Sequence, residues 1–149
     1  MAGPLDDSDT RNAVQAALGA EHAAVWSCGL ASAYLAPGDQ GTLSESALAH
    51  RERRDSLVAL CEAGEVAPVA AAAAYATPRP VNDAASAAAL LVVAEDDCAV
   101  AWRAVLERTD DAGLRKSGVA AVVSSATVGV RWRQVSGTQP VVPTFPGTR

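Results

Sequence analysis

Four stretches of at least 20 residues place small or apolar side chains at alternating steps of three and four, with helix caps or breakers between them. Ser8-Asp9-Thr10 offers a start and Pro37-Gly38 a stop, which predicts a first helix over 10–36. Thr42-Leu43-Ser44-Glu45 has the hydroxyl and carboxylate of a capping box, and a second helix follows over 44–63, before Gly64. Asn82 opens a third helix over 82–108. Asp110-Asp111 and Gly113 mark the next break, and a fourth helix runs over 114–135. Gly137 and Pro140 end it and leave an extended tail over 137–149. Alanine, the best helix former, supplies 34 of the 149 residues, which argues against an all-β sandwich. One all-α domain over 1–149 is the expectation.

The links between these helices are short, long and short. The first and third are what antiparallel neighbours need. The second, Gly64–Val81, holds Pro68, Pro78 and Pro80 and an alanine run over 70–74, and its 18 residues can span the length of a bundle. This pattern predicts a four-helix bundle with one long crossover between the second and third helices. An up-down-up-down bundle with a decorated loop is the second choice.

Charge and cysteine usage narrow the class. A net charge of −5 argues against nucleic acid as a partner. The dense basic cluster His50-Arg51-Glu52-Arg53-Arg54 carries an acid within it and Asp55 beside it. The start, Met1-Ala2-Gly3-Pro4-Leu5-Asp6-Asp7, lacks the basic and apolar parts of a signal peptide. The stretch Ala13–Ala36 is the nearest approach to a membrane span, but it is built mainly of Ala, Gly and Ser, and Glu21-His22 interrupts it, so a buried helix is expected. Cys28, Cys61 and Cys98 form no CxxC pair and read as buried reduced thiols in a cytoplasmic protein.

The inner seam of each helix can be read from the same spacing. The first gives Val14, Leu18, Glu21, Val25, Cys28, Ser32 and Leu35. The second gives Leu43, Ala47, His50, Arg54, Leu57 and Cys61. The third gives Ala84, Ala88, Leu91, Glu95, Cys98, Trp102 and Val105. The fourth gives Leu114, Gly118, Ala121, Ser125, Val128, Trp132 and Val135. Each seam is apolar or small except near its middle, where Glu21, His50, Arg54 and Glu95 intrude. An unpaired buried charge costs several kcal/mol in desolvation, so these four are expected to meet. Ser125 joins the cluster as a milder polar member, able to bond back to its own helix. A one-position phase error would exchange His22 or Arg51 for a neighbour. With Arg54 paired to both carboxylates, its removal would cost about 3 kcal/mol or more.

With Glu21, His50 and Glu95 at mid-helix, the chain resembles the ferritin-like superfamily, which places single glutamates on two helices and Glu-x-x-His pairs on the other two. Here Ala47 stands where the glutamate before His50 would be, and the middle of the fourth helix, Val122-Val123-Ser124-Ser125-Ala126-Thr127, offers neither carboxylate nor histidine. More narrowly, Glu21-His22-Ala23-Ala24-Val25, the His50–Asp55 run, Pro78-Arg79-Pro80-Val81-Asn82-Asp83 and Phe145-Pro146-Gly147 resemble an uncharacterised alanine-rich actinobacterial family with a ferritin-like domain. The resemblance covers roughly residues 13–147. It implies a ferritin-like four-helix bundle and no particular reaction.

Three of six family ligands cannot balance two divalent metals. The expectation is a degenerate metal site and a non-catalytic structural or protein-interaction module that carries no cofactor. The competing expectation is a metal-binding protein or oxidoreductase with one iron, manganese or zinc ion on Glu21, His50 and Glu95. No nucleophile elbow surrounds Ser124-Ser125, and no phosphate-binding loop or zinc-protease motif occurs. A second face of the first helix, His22, Trp26, Gly29 and Ala33, is uncharged apart from the histidine and needs cover. A homodimer, or the long link together with the apolar tail, would supply it.

Overall fold

The computed structural model describes residues 3–149. It has four long helices and, among the described residues, no strand. They are α1 (Ser8–Ala31), α2 (Gln40–Ala63), α3 (Ala84–Arg108) and α4 (Ala112–Ser136), with one 3-10 turn at Pro37–Asp39 before α2.

Side chains that satisfy the end groups set these boundaries, and they shift several expected ones. Asp7 starts α1 by accepting from the Thr10 N–H at 2.7 Å. The helix ends at Ala31, five residues short of Ala36; turns follow over 32–34, and Ala36, before Pro37, is extended. Gln40 compensates by donating its side-chain amide to the carbonyls of Ser32 and Leu35. Thr42 is no cap, because α2 already begins at Gln40. Asp39 precedes α2 but spends its carboxylate on Arg131 of α4. Asp83 and not Asn82 caps α3, in a reciprocal capping box with Ser86. Asp111 caps α4, and Gly137 closes it at φ 76°, a left-handed conformation that suits glycine.

The long link, 64–83, runs along the outside of α1. Gly64 lies against Leu5. Gln15 then holds Ala67 and Val69, His22 bonds the carbonyl of Val69, and Trp26 meets Tyr75 edge-on at 5.8 Å. At the far end Val81 packs near Cys28, Ala31 and Trp132, and α3 starts back. It finishes beside the start of α1, where the Thr10 hydroxyl donates to the Arg108 carbonyl at 2.6 Å.

Around the bundle, α2 packs on α1, α1 on α3, and α3 on α4, while α2 and α4 barely touch. The most extensive packing is that of α3 on α4. A methyl group on Gly118 would sit 2.8 Å from Leu106, and one on Gly129 would sit 3.7 Å from Cβ of Glu95. The core has two parts. Leu5, Val14, Leu18, Leu57, Trp102, Val105 and Leu114 belong to one, and Leu35, Leu43, Leu91 and Trp132 to the other. The large members of the two parts lie on opposite sides of Glu21, His50 and Glu95 along each helix, and Ala24 and Ala94 carry the first part past that level.

Gly118→Ala is expected to lower the unfolding free energy by about 1–3 kcal/mol in urea titrations, because Leu106 must move. Gly29→Ala, on exposed α1 surface with nothing within 4 Å, is expected to raise it by about 0.5–1 kcal/mol.

Candidate functional site: a buried ion network

The middle of the bundle is built around His50, which is 1% exposed. Helix α2 puts it between α1 and α3, and its two nitrogens face two carboxylates. Nδ1 donates to Oε2 of Glu21 at 2.6 Å, and Nε2 donates to Oε1 of Glu95 at 3.0 Å. Both acceptors are themselves buried. Oε1 of Glu21 also accepts from Nε of Arg53 and from the indole N–H of Trp102, each at 2.7 Å. Oε1 of Glu95 also accepts from the Ser46 hydroxyl at 3.0 Å. Two carboxylates thus face an imidazolium and a guanidinium, and the formal charges cancel.

The electrostatics follow from this geometry. Burial alone would pull the His50 pKa down, but the hydrogen bonds to Glu21 and Glu95 outweigh it and raise the value to about 9. Burial would push the Glu21 carboxyl up, but His50, Arg53 and Trp102 hold it below its ordinary range. Cys98 lies with its sulfur 4.0 Å from Nδ1 of His50, and burial followed by the charges of Glu21 and Glu95 pushes its pKa far up. Burial pushes the Cys28 thiol to about 12. All three cysteines are unpaired and buried, so they pack as protonated thiols.

The sequence placed Arg54 in this cluster, and the structure seats Arg53 there instead. Residues 53 and 54 flank the α2 seam about 100° apart. Arg53 lies on the side facing Glu21, while Arg54 turns outward and pairs with its neighbour Asp55 at 2.8 Å. An alternation of three and four admits either position after His50, and a step of three would have found Arg53. Neither His22 nor Arg51 enters the cluster: His22 bonds the link, and Arg51 is exposed. Ser125 is buried, but its hydroxyl makes no hydrogen bond, to the network or to its own helix. Gly118, Ala121, Ser125 and Gly129 share the buried side of α4 where it approaches α3, so the position uses serine for its small size.

Ser46 and Arg133 escaped the sequence reading, and Trp102 was read as part of the seam without its polar role. Ser46 lies one step beside the seam. Trp102 was on the seam, and a buried indole N–H commonly finds an acceptor, although that of Trp132 has none. Arg133 is 6% exposed and reaches Asp96 at 2.6 Å, a pair signalled only by the acid that follows Glu95.

The face of α1 expected to need cover is partly covered within the chain. The link lies over His22 and Trp26, while Gly29 and Ala33 are exposed. A dimer through Trp26 would first have to displace the link. The tail packs elsewhere, with Gly147 against Ala99 and Arg103 of α3 and Arg149 paired with Asp97 at 2.9 Å.

The donor set can be tested against a metal ion. An imidazole stands between Glu21 and Glu95, so those three residues cannot converge on one ion without rearrangement. The group with converging donor atoms is Glu21, His50 and Cys98, all within 4.8 Å of one another. There the carboxylate already accepts three hydrogen bonds, and Nη2 of Arg53 lies 2.9 Å from Nδ1 of His50. A second cation beside that guanidinium is electrostatically unfavourable. In this arrangement the donors are spent on one another, while the ligand atoms of Glu21, His50 and Cys98 remain close enough to share one ion.

Residues 13–149 match the family model described as a domain of unknown function, DUF4439. The chain belongs to that family. A search of curated proteins gave no match. Among solved structures, the fold is similar to the crystal structure of a conserved hypothetical protein, rv2844, from Mycobacterium tuberculosis. The two are 37% identical with a TM-score of 0.83, over 87% of this chain and 98% of the other. Among the described residues, no helix of this DUF4439 chain is long and apolar enough to cross a membrane.

Two measurements test the network. Arg53→Ala is expected to destabilise by about 3 kcal/mol or more, because it strips a cation from buried Glu21. Arg54→Ala, at a surface pair of a half-buried arginine with an exposed aspartate, is expected to change stability by less than about 1 kcal/mol. The raised His50 pKa contributes stability that is complete below pH 6.5 and lost as the pH rises through about 9. The lowered Glu21 pKa contributes stability that is complete above pH 4.5 and lost in stronger acid. Denaturant titrations are therefore expected to show the greatest contribution from these groups between pH 4.5 and 6.5. The loss on the alkaline side is on the order of 3 kcal/mol, and His50→Gln should remove that slope.

Proposed function

We propose that this DUF4439 chain is a ferritin-like four-helix bundle, with the link 64–83 as its long crossover, in which an ion network replaces the metal site. On this reading the protein is non-catalytic, cytoplasmic and cofactor-free, and serves as a structural or protein-interaction module. The observation that carries the reading is Arg53: its guanidinium donates to Glu21 at 2.7 Å and lies 2.9 Å from His50, supplying positive charge where a ferritin-like bundle would hold an ion. The path of the link along α1 supports the crossover. The three unpaired thiols suit a reducing compartment.

One observation favours a second reading, a single iron, manganese or zinc ion. The ligand atoms of Glu21, His50 and Cys98 are close enough to share one. Binding would require His50 to lose its proton and Arg53 to swing away.

Elemental analysis separates the two. Protein purified without a metal-affinity tag is expected to hold far less than stoichiometric iron, manganese or zinc, and to stay so after anaerobic incubation with ferrous iron. Near-stoichiometric metal that disappears in Glu21→Ala would establish the second reading and overturn the first.

A further inference from the structure

The open side of the bundle, between α2 and α4, forms a groove of about 570 Å³ whose inner end reaches the ion network. We propose that this groove binds a small amphiphilic carboxylic acid, with its carboxylate on Arg53 and its apolar body along Leu57, Leu60, Trp102 and Leu114. Its size lies within the range of small-molecule sites, about 300–1,000 Å³.

The head group follows from the unused donors of Arg53. A guanidinium has five N–H groups. Nε donates to Glu21 at 2.7 Å, and Nη1 reaches only the Ser124 hydroxyl, at 3.5 Å. Nη2 lies 2.9 Å from Nδ1 of His50, and only one of its two protons can be directed there. At most three of the five donors are spent, one of them on the long Ser124 contact, on a side chain only 16% exposed that lines the groove. A planar carboxylate suits such a fork. Ser124, on the opposite wall, offers a hydroxyl to the same head group.

The body follows from the floor. Leu57, Trp102, Leu114 and Ala121 are nearly or wholly buried, yet all four border the groove. The walls are small, with Ala49 and Ser56 on α2 and Ser117 and Ala120 on α4, so an unbranched chain can lie between the helices. The charge count follows from the rim. Asp111, which caps α4, lines the end of the groove away from Arg53, Glu52 lines it one residue from Arg53, and the chain has a net charge of −5. A second negative charge on the ligand would meet these carboxylates, which selects a monoanion with an apolar tail over dicarboxylates and phosphate esters.

This inference goes beyond the non-catalytic reading and does not depend on it: metal content tests that reading, and ligand binding tests this one. Isothermal titration of the wild-type protein with octanoate, octanol and octanedioate provides the test. Octanoate is expected to bind at one per chain, with octanol and octanedioate each at least about tenfold weaker. Ala120→Phe fills the groove from an exposed position that touches none of the network, and is expected to abolish octanoate binding while leaving the melting temperature and circular dichroism unchanged. Absence of octanoate binding, equal affinity for octanol, or undiminished binding by Ala120→Phe would each overturn the proposal. If octanoate fails to bind and Ala120→Phe converts a dimer to a monomer, the groove is a contact between two copies of the chain and the proposal falls.

Discussion

An imidazole held between two carboxylates, with a guanidinium behind one of them, is affordable in a protein core only when all four groups arrive together. Each of Glu21, His50 and Glu95 sits on a different helix and is almost wholly buried. Removing any one leaves an uncompensated charge in a region of low dielectric. The network therefore fixes the vertical register of α1, α2 and α3 more tightly than their alanine-rich faces could. Leucine and alanine tolerate a sliding neighbour, but a 2.6 Å hydrogen bond does not. The indole of Trp102 and the hydroxyl of Ser46 occupy further acceptor capacity on the two carboxylates, which adds angular constraint to register.

The fourth helix is held differently. It contributes no ionised group to the three-residue centre, and among the described residues its one hydrogen bond to a member of the network is the long Arg53–Ser124 contact. Glycine and other small side chains let it lie close against α3, and the ion pairs Arg133–Asp96 and Arg131–Asp39 tie it at one end. Being drawn toward α3, α4 leaves α2 with almost no partner on that side. The groove is thus a product of the same packing that brings α3 and α4 together.

Much of this was legible in the amino-acid sequence, and the reasons are specific. Glu21, His50 and Glu95 stood out because an ionisable residue on an apolar seam has few ways to be stable. The boundaries were less legible, because caps compete locally: Asp7, Asp83 and Asp111 won over neighbours with equal chemical claims. Arg53 was misread as Arg54 because seam spacing alone does not distinguish a step of three from a step of four. A long side chain also reaches inward from a position beside the seam. The open α2–α4 side was illegible, since periodicity describes each helix separately and says nothing about which pair will stand apart.

The large apolar side chains of the two half-cores lie on either side of the charged layer, with Ala24 and Ala94 bridging it. Such a bundle has a waist. Above and below it, cohesion is non-directional and tolerates small rearrangements, whereas at the waist it depends on a handful of oriented protons. When those protons are lost, the molecule has a natural plane of division, and its two ends can loosen as separate cooperative units. In a protein where one histidine supplies two of the waist's hydrogen bonds, the unity of the fold is a property of its protonation state.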